Sequence, residues 1–140
     1  MITSAQSPIH SEQEAAVAIL FSCVLHDHLE ERQNKVEHIS RMLMLSSKFE
    51  GHSLQELAGK AIPLVNTSGH ELVIAHCAPY ITESFRETLF AMVCELLTGD
   101  GRLSFKESEQ VGLAALYLGI SIEMMQVMIN IFLIRNRYNL

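Results

Sequence analysis

Apolar residues recur along this chain at spacings of three and four, the period of a helix that buries one face. Phe85, Leu89, Met92, Val93 and Leu96 form the plainest run, and Val111, Ala114, Ala115 and Leu118 form the next. Polar starts precede such runs. Ser11-Glu12-Gln13-Glu14, Ser53-Leu54-Gln55-Glu56, Ser84-Phe85-Arg86-Glu87 and Ser104-Phe105-Lys106-Glu107 each have the form of a capping box. In that motif the serine oxygen and the glutamate carboxylate satisfy N–H groups left open by the first helical turn. Gly119 suits a left-handed stop and Ser121 a fresh start. The pattern predicts helices near 11–26, 30–46, 53–65, 70–78, 83–98, 104–118 and 121–137. It is weakest in the middle, where Pro63, Gly69 and Pro79 intervene, and Val65 to Gly69 reads as the connection between two halves. Leu72-Val73-Ile74-Ala75 has strand propensity but no partner to pair with. The expected fold class is all-α, a single-domain bundle of about seven helices over 11–140 behind an N-terminal tail at 1–10.

The two halves also resemble one another. A shift of 73 positions sets Glu14 on Glu87, Ala18 on Ala91, Leu20 on Val93 and Asp27 on Asp100. Beyond that junction a shift of 75 sets Val36 on Val111, Ile39 on Ala114 and Leu43 on Leu118. A two-residue change in the intervening loop accounts for the difference, so a pseudo-duplicated architecture is expected.

Composition narrows the function classes. Hydrophobic residues make up 49% of the chain, enough for a packed core and too many for a disordered segment. The net charge of -6 opposes binding driven by nucleic-acid phosphates, so no nucleic-acid partner is expected. Cys23, Cys77 and Cys94 are odd in number, lie in apolar runs and form no Cys-x-x-Cys pair. They read as buried thiols in a reducing compartment. No secretory signal opens the chain, and the longest apolar stretch, Ala15 to Leu25, is too short to cross a bilayer and is broken by Ser22. A cytoplasmic protein without a transmembrane segment is the expectation.

Candidate chemistry centres on the junction Asp100-Gly101-Arg102-Leu103-Ser104-Phe105-Lys106-Glu107. Asp-Gly is a common turn dipeptide, and Glu107 has a capping role toward Ser104 that needs no ligand. Carboxylates are also hard oxygen donors, and a turn between helices lets several converge on one cation. The segment matches the second half of a calcium-binding EF-hand loop, but Leu96 and Thr98 occupy positions where that loop needs charge. A working EF-hand is therefore not expected.

In its residues the segment resembles the TerB-like tellurite-resistance domains. The resemblance lies in the helix Phe90-Ala91-Met92-Val93-Cys94-Glu95-Leu96-Leu97, then Asp100-Gly101-x-Leu103-x-x-x-Glu107, then the helix ending Leu116-Tyr117-Leu118-Gly119-Ile120. It implies an all-helical, pseudo-duplicated domain of about seven helices whose clustered acidic residues hold a divalent metal ion. Asp100 and Glu107 would then be ligands in the second half. Asp27 matches in the first half, where His28 replaces the glycine and Glu30 or Glu31 stands in for Glu107. His26-Asp27-His28 adds two imidazoles beside a carboxylate, a donor set suited to zinc, nickel or iron rather than calcium. The expected metal ligands are Asp100, Glu107, Asp27, Glu31, His26 and His28. The expected function is a binding or sensing module in tellurite resistance or in metal and oxyanion stress.

The last predicted helix supports an alternative. Met124, Met125, Val127, Met128, Ile131, Phe132 and Ile134 make it apolar on more than one face. Core packing explains its methionines better than a copper(I) site does. A helix of this kind is either central to a bundle or part of an interface. The alternative function is a non-catalytic protein-interaction or dimerisation module, with a protein partner or a second copy docked through this helix. Arg135 and Arg137 complement its dipole. His38 reads as a surface or partner-facing residue, and a contact between His70 and His76 would need a kinked helix. No spacing supports a Ser-His-Asp or Cys-His arrangement, and no catalytic residue is assigned.

Overall fold

A computed structural model describes residues 9–25 and 29–139 of the chain. Among them are seven α-helices and no strand, as the apolar period requires. The helices are α1 (Glu12–Ser22), α2 (Leu29–Met44), α3 (Leu54–Ser68), α4 (His70–Cys77), α5 (Glu83–Leu97), α6 (Phe105–Leu118) and α7 (Ile122–Arg135). Short 3-10 turns at Ser47–Phe49 and Ala78–Tyr80 complete the list. The chain gathers into two compact units, Met1–Ile81 and Thr82–Leu140.

In the first unit α1 is the central element. Ala15, Ala16, Val17, Ala18, Ile19 and Leu20 are all fully buried, so the helix has no solvent face over this stretch. It packs against α3 and α4, and its three alanines let neighbouring backbones come close. α2 is the opposite case. Only Ile39 and Leu43 are buried on it, and its main packing partner is the 3-10 turn Ser47–Phe49.

An ion pair between buried Glu14 and exposed Lys60 ties α1 to α3. The Glu14 carboxylate accepts from the Lys60 ammonium and, at 2.7 Å, from the His10 backbone N–H. Burial pushes this carboxyl upward, but the Lys60 and His10 contacts outweigh that effect and hold it below its ordinary value of 4.5. A carboxyl whose folded value is depressed stabilises the fold fully above the unfolded value, and that stabilisation is lost as pH falls through the folded value. Acid titration of stability from pH 6 to pH 3 is therefore expected to show a loss that Glu14→Gln diminishes. Identical profiles for the two proteins would remove Glu14 from the acid response.

Pro63 does not end α3. The helix continues through it to Ser68 and turns at Gly69, where φ is +81°. The proline withholds one N–H from the Gly59 carbonyl, and the Thr67 hydroxyl donates to the Pro63 carbonyl at 2.8 Å one turn later. Val65 to Gly69 is thus a helix end inside the first unit rather than the connection between halves, and the division falls at Ile81 and Thr82. The reason is burial: Leu64, Val65, Val73 and Ile74 all sit in the core.

In the second unit α5 buries Phe85, Leu89, Phe90, Val93, Cys94, Leu96 and Leu97 and packs on α6 and α7. Its N-cap is Thr82 rather than Ser84, because the extended backbone ends two residues earlier than the serine motif suggested. Ser104 and Glu107 do form the reciprocal box on α6, and Ser121 caps α7 by accepting from the Met124 N–H at 3.1 Å. Gly119 closes α6 in the left-handed conformation, with the Ile120 N–H reaching back to the Ala115 carbonyl at 2.8 Å. Among the described residues the first unit holds four α-helices and the second three. Packing differs between them: α1 rests mainly on α3, whereas α5 rests mainly on α6.

Candidate functional site

At the junction between α5 and α6 both candidate carboxylates make local hydrogen bonds. An Asp100 carboxylate oxygen accepts from the Arg102 backbone N–H at 3.1 Å, and the Arg102 side chain lies 4.0 Å from the other oxygen in an exposed pair. Glu107 accepts from the Ser104 N–H at 2.9 Å, while the Ser104 hydroxyl accepts from the Glu107 N–H at 3.1 Å. Glu31 stands exposed in the first turn of α2, where a carboxylate complements the helix dipole. His26, Asp27 and His28 lie outside the described residues. No group of three or more His, Cys, Asp or Glu side chains that could hold a metal ion occurs among the described residues. The metal expectation thus rests on the sequence motif.

What this junction does hold is the end of α7. Gly101 has φ of +80°, and a Cβ placed there would sit 2.6 Å from the Asn136 carbonyl oxygen and 3.0 Å from the Arg137 Cα. The loop backbone and the turn that follows α7 at Asn136 and Arg137 are therefore in direct contact, a distance only glycine permits. Polar links reinforce the contact. Buried Thr98 donates to the Cys94 carbonyl at 2.6 Å, the Asn136 amide donates to Thr98 at 3.5 Å, and the Asn139 amide donates to Asn136 at 2.9 Å.

Held at its C-terminal end, α7 leaves a broad apolar surface uncovered. None of its residues is fully buried. Met125, Met128, Ile129, Phe132 and Leu133 are half-buried and mark the side that packs on α5 and α6. Met124, Val127, Ile131 and Ile134 are 40%, 54%, 58% and 61% exposed. Their spacing of three, four and three residues places them in one stripe along the helix. Glu123, Gln126, Asn130 and Arg135 form the polar remainder, and Ile122, exposed at the first position, lies off the stripe. The sequence showed that α7 is apolar on more than one face; packing decides which face stays open, because the covered Met125, Met128 and Phe132 follow the same helical spacing.

Two other features bear on chemistry. Ser22 and His70, 48 residues apart, meet with the Ser22 hydroxyl 3.0 Å from the His70 Nδ1. Ser22 is fully buried, and its hydroxyl already donates to the Ile19 carbonyl at 2.6 Å. Its proton is thus directed away from the imidazole, and the network assigns the Nδ1 proton to a bond toward Ser22, a geometry that supports α1 against α4 without activating a nucleophile. His70 and His76 go separate ways, His76 lying 6.1 Å between ring centroids from Tyr80. The first unit also has a cleft of about 920 Å³ among α1, α2 and α3, walled by Phe21, Leu25, Val36, Leu43, Leu54 and Ile62. Arg32 and Glu37 line it as well.

All three cysteines are free and buried, and desolvation pushes the Cys77 and Cys94 thiols up to about 12. Neither supplies a thiolate near neutral pH. No helix among the described residues is long and apolar enough to cross a membrane. No family model, curated protein or solved structure matches the chain.

Proposed function

We propose that this chain is a non-catalytic interaction module that docks a protein partner on the open stripe of α7. The observation that carries the reading is the row Met124, Val127, Ile131 and Ile134, each large, apolar and about half exposed on one line of one helix. Scattered exposed apolar residues are ordinary on a folded surface, but a contiguous row rimmed by polar side chains marks an interaction site. A helix lying along such a row reads the same spacing with its own apolar stripe. The tie between Gly101 and the end of α7 supports this reading, because a docking helix fixed at one end loses less freedom when it binds.

The test is a photo-crosslinking residue, p-benzoylphenylalanine, placed at Val127 and, as control, at Asn130 on the polar side. Irradiation of cells making the full chain is expected to give protein adducts from position 127 well above those from position 130. Equal or absent protein adducts at both positions would overturn the assignment. The TerB-like resemblance, with its metal and stress role, is a separate proposal resting on the Asp100–Glu107 motif.

A further inference from the structure

The open stripe of α7 has an internal symmetry. Met124 and Ile134 lie five residues on either side of position 129, and Val127 and Ile131 lie two residues on either side. Glu123 and Arg135, six residues to either side, carry opposite charges. A pattern that reads alike in both directions is what an isologous twofold interface needs, since each subunit then presents the same patch to the other. Resting on the reading of α7 as a docking helix, we propose that its partner is a second copy of this chain, with the two α7 helices antiparallel and crossing at residue 129.

The register follows from the spacing. Val127 of each copy meets Ile131 of the other at the centre, and Met124 meets Ile134 toward each end. Glu123 of one copy then stands level with Arg135 of the other, so opposite charges flank both ends of the seam. The antiparallel sense also sets the positive N-terminus of each helix dipole beside the negative C-terminus of its partner. A parallel pairing would instead align Glu123 with Glu123 and Arg135 with Arg135, placing like charges together at each end. Charge therefore selects the antiparallel sense.

Size sets the strength. The four stripe residues expose on the order of 400 Å² of apolar surface per copy, about half of what each partner contributes to a standard interface. An area of that size fits a weak, reversible dimer rather than a permanent one. Only two charge pairs of the exposed kind assist it, and each adds little.

Sedimentation equilibrium on the purified full chain tests the proposal, and dimer mass at tens of micromolar is expected. Val127→Glu buries a carboxylate against Ile131 of the partner and is expected to weaken association on the order of 100-fold with helix content unchanged. Two further variants fix the register without relying on that substitution. Glu123→Arg and Arg135→Glu are each expected to self-associate less well than the parent, and their mixture to associate more strongly than either alone, because both ends of the mixed dimer pair opposite charges. In the same way, Val127→Cys mixed with Ile131→Cys is expected to form an intermolecular disulfide faster than either variant alone.

A monomer at every concentration, or a dimer indifferent to Val127→Glu, would overturn the proposal. Faster self-crosslinking of Val127→Cys than of the mixture would do the same by showing a parallel pair. A monomeric purified chain together with strong adducts of foreign mass at position 127 in cells would remove the second copy and leave the docking surface standing.

Discussion

Gly101→Ala is expected to lower the unfolding free energy by roughly 3 kcal/mol, and Gly51→Ala by only about 1 kcal/mol. The two glycines share the same φ of +80°, so the intrinsic cost of giving either a side chain is the same. Their surroundings differ. A Cβ at Gly51 meets open space, whereas one at Gly101 falls 2.6 Å from the Asn136 carbonyl oxygen. That oxygen belongs to backbone at the end of α7 and cannot swing aside like a side-chain tip. The loop must lift off the helix, and the Asn136 to Thr98 link at 3.5 Å is strained with it. Urea unfolding followed by far-ultraviolet circular dichroism measures both variants against the parent. Equal losses would show that φ alone governs the site and that the contact with α7 adds nothing.

Phe90→Ala is expected to cost about 4 kcal/mol, and Phe105→Ala less than about 0.5 kcal/mol. Phe90 is among the largest fully buried side chains, on the inner face of α5. Truncation there removes most of an aromatic ring from the core and leaves a cavity that close-packed neighbours only partly refill. Phe105 opens α6 at 82% exposure, so its removal changes little beyond solvation. The same unfolding measurement reports both, and a cost below about 1 kcal/mol at Phe90 would contradict the packing described for the second unit.

Two serine-glutamate capping patterns, Ser84-Phe85-Arg86-Glu87 and Ser104-Phe105-Lys106-Glu107, show where local sequence stops being informative. The Ser104 pattern forms as written, with both hydrogen bonds made. The Ser84 pattern does not, because the helix already starts two residues earlier, with Thr82 in the N-cap position and no side-chain cap hydrogen bond from it. Cap preferences rank serine and threonine closely, so the choice between neighbouring candidates belongs to the packing of the flanking backbone. The Ser22 and His70 pair was illegible for a related reason, since 48 residues separate them and no spacing rule connects α1 with α4.

The junction at Asp100 was legible as a turn and silent about its partner. Asp-Gly specifies a positive φ at Gly101, which local sterics explain. That this glycine receives the end of α7 follows only from the packing of three helices. Likewise, the carboxylates of Asp100 and Glu107 were visible as oxygen donors, while their hydrogen bonds to Arg102 and Ser104 emerge from the folded loop.

By itself, then, the sequence determined the all-α class, the seven helices to within a few residues at most ends, the serine starts at Ser11, Ser53, Ser104 and Ser121, and the glycine stop of α6. These are short-range properties, set by a helical period, by side chains that reach their own backbone and by the freedom of glycine. Tertiary structure decided where the chain divides, what Gly101 touches and which part of the apolar surface of α7 is covered. The physical reason is that helical period gives the width of an apolar face but not the position of its neighbours. An apolar face wider than one neighbour can cover leaves a stripe open, and on α7 that stripe is Met124, Val127, Ile131 and Ile134.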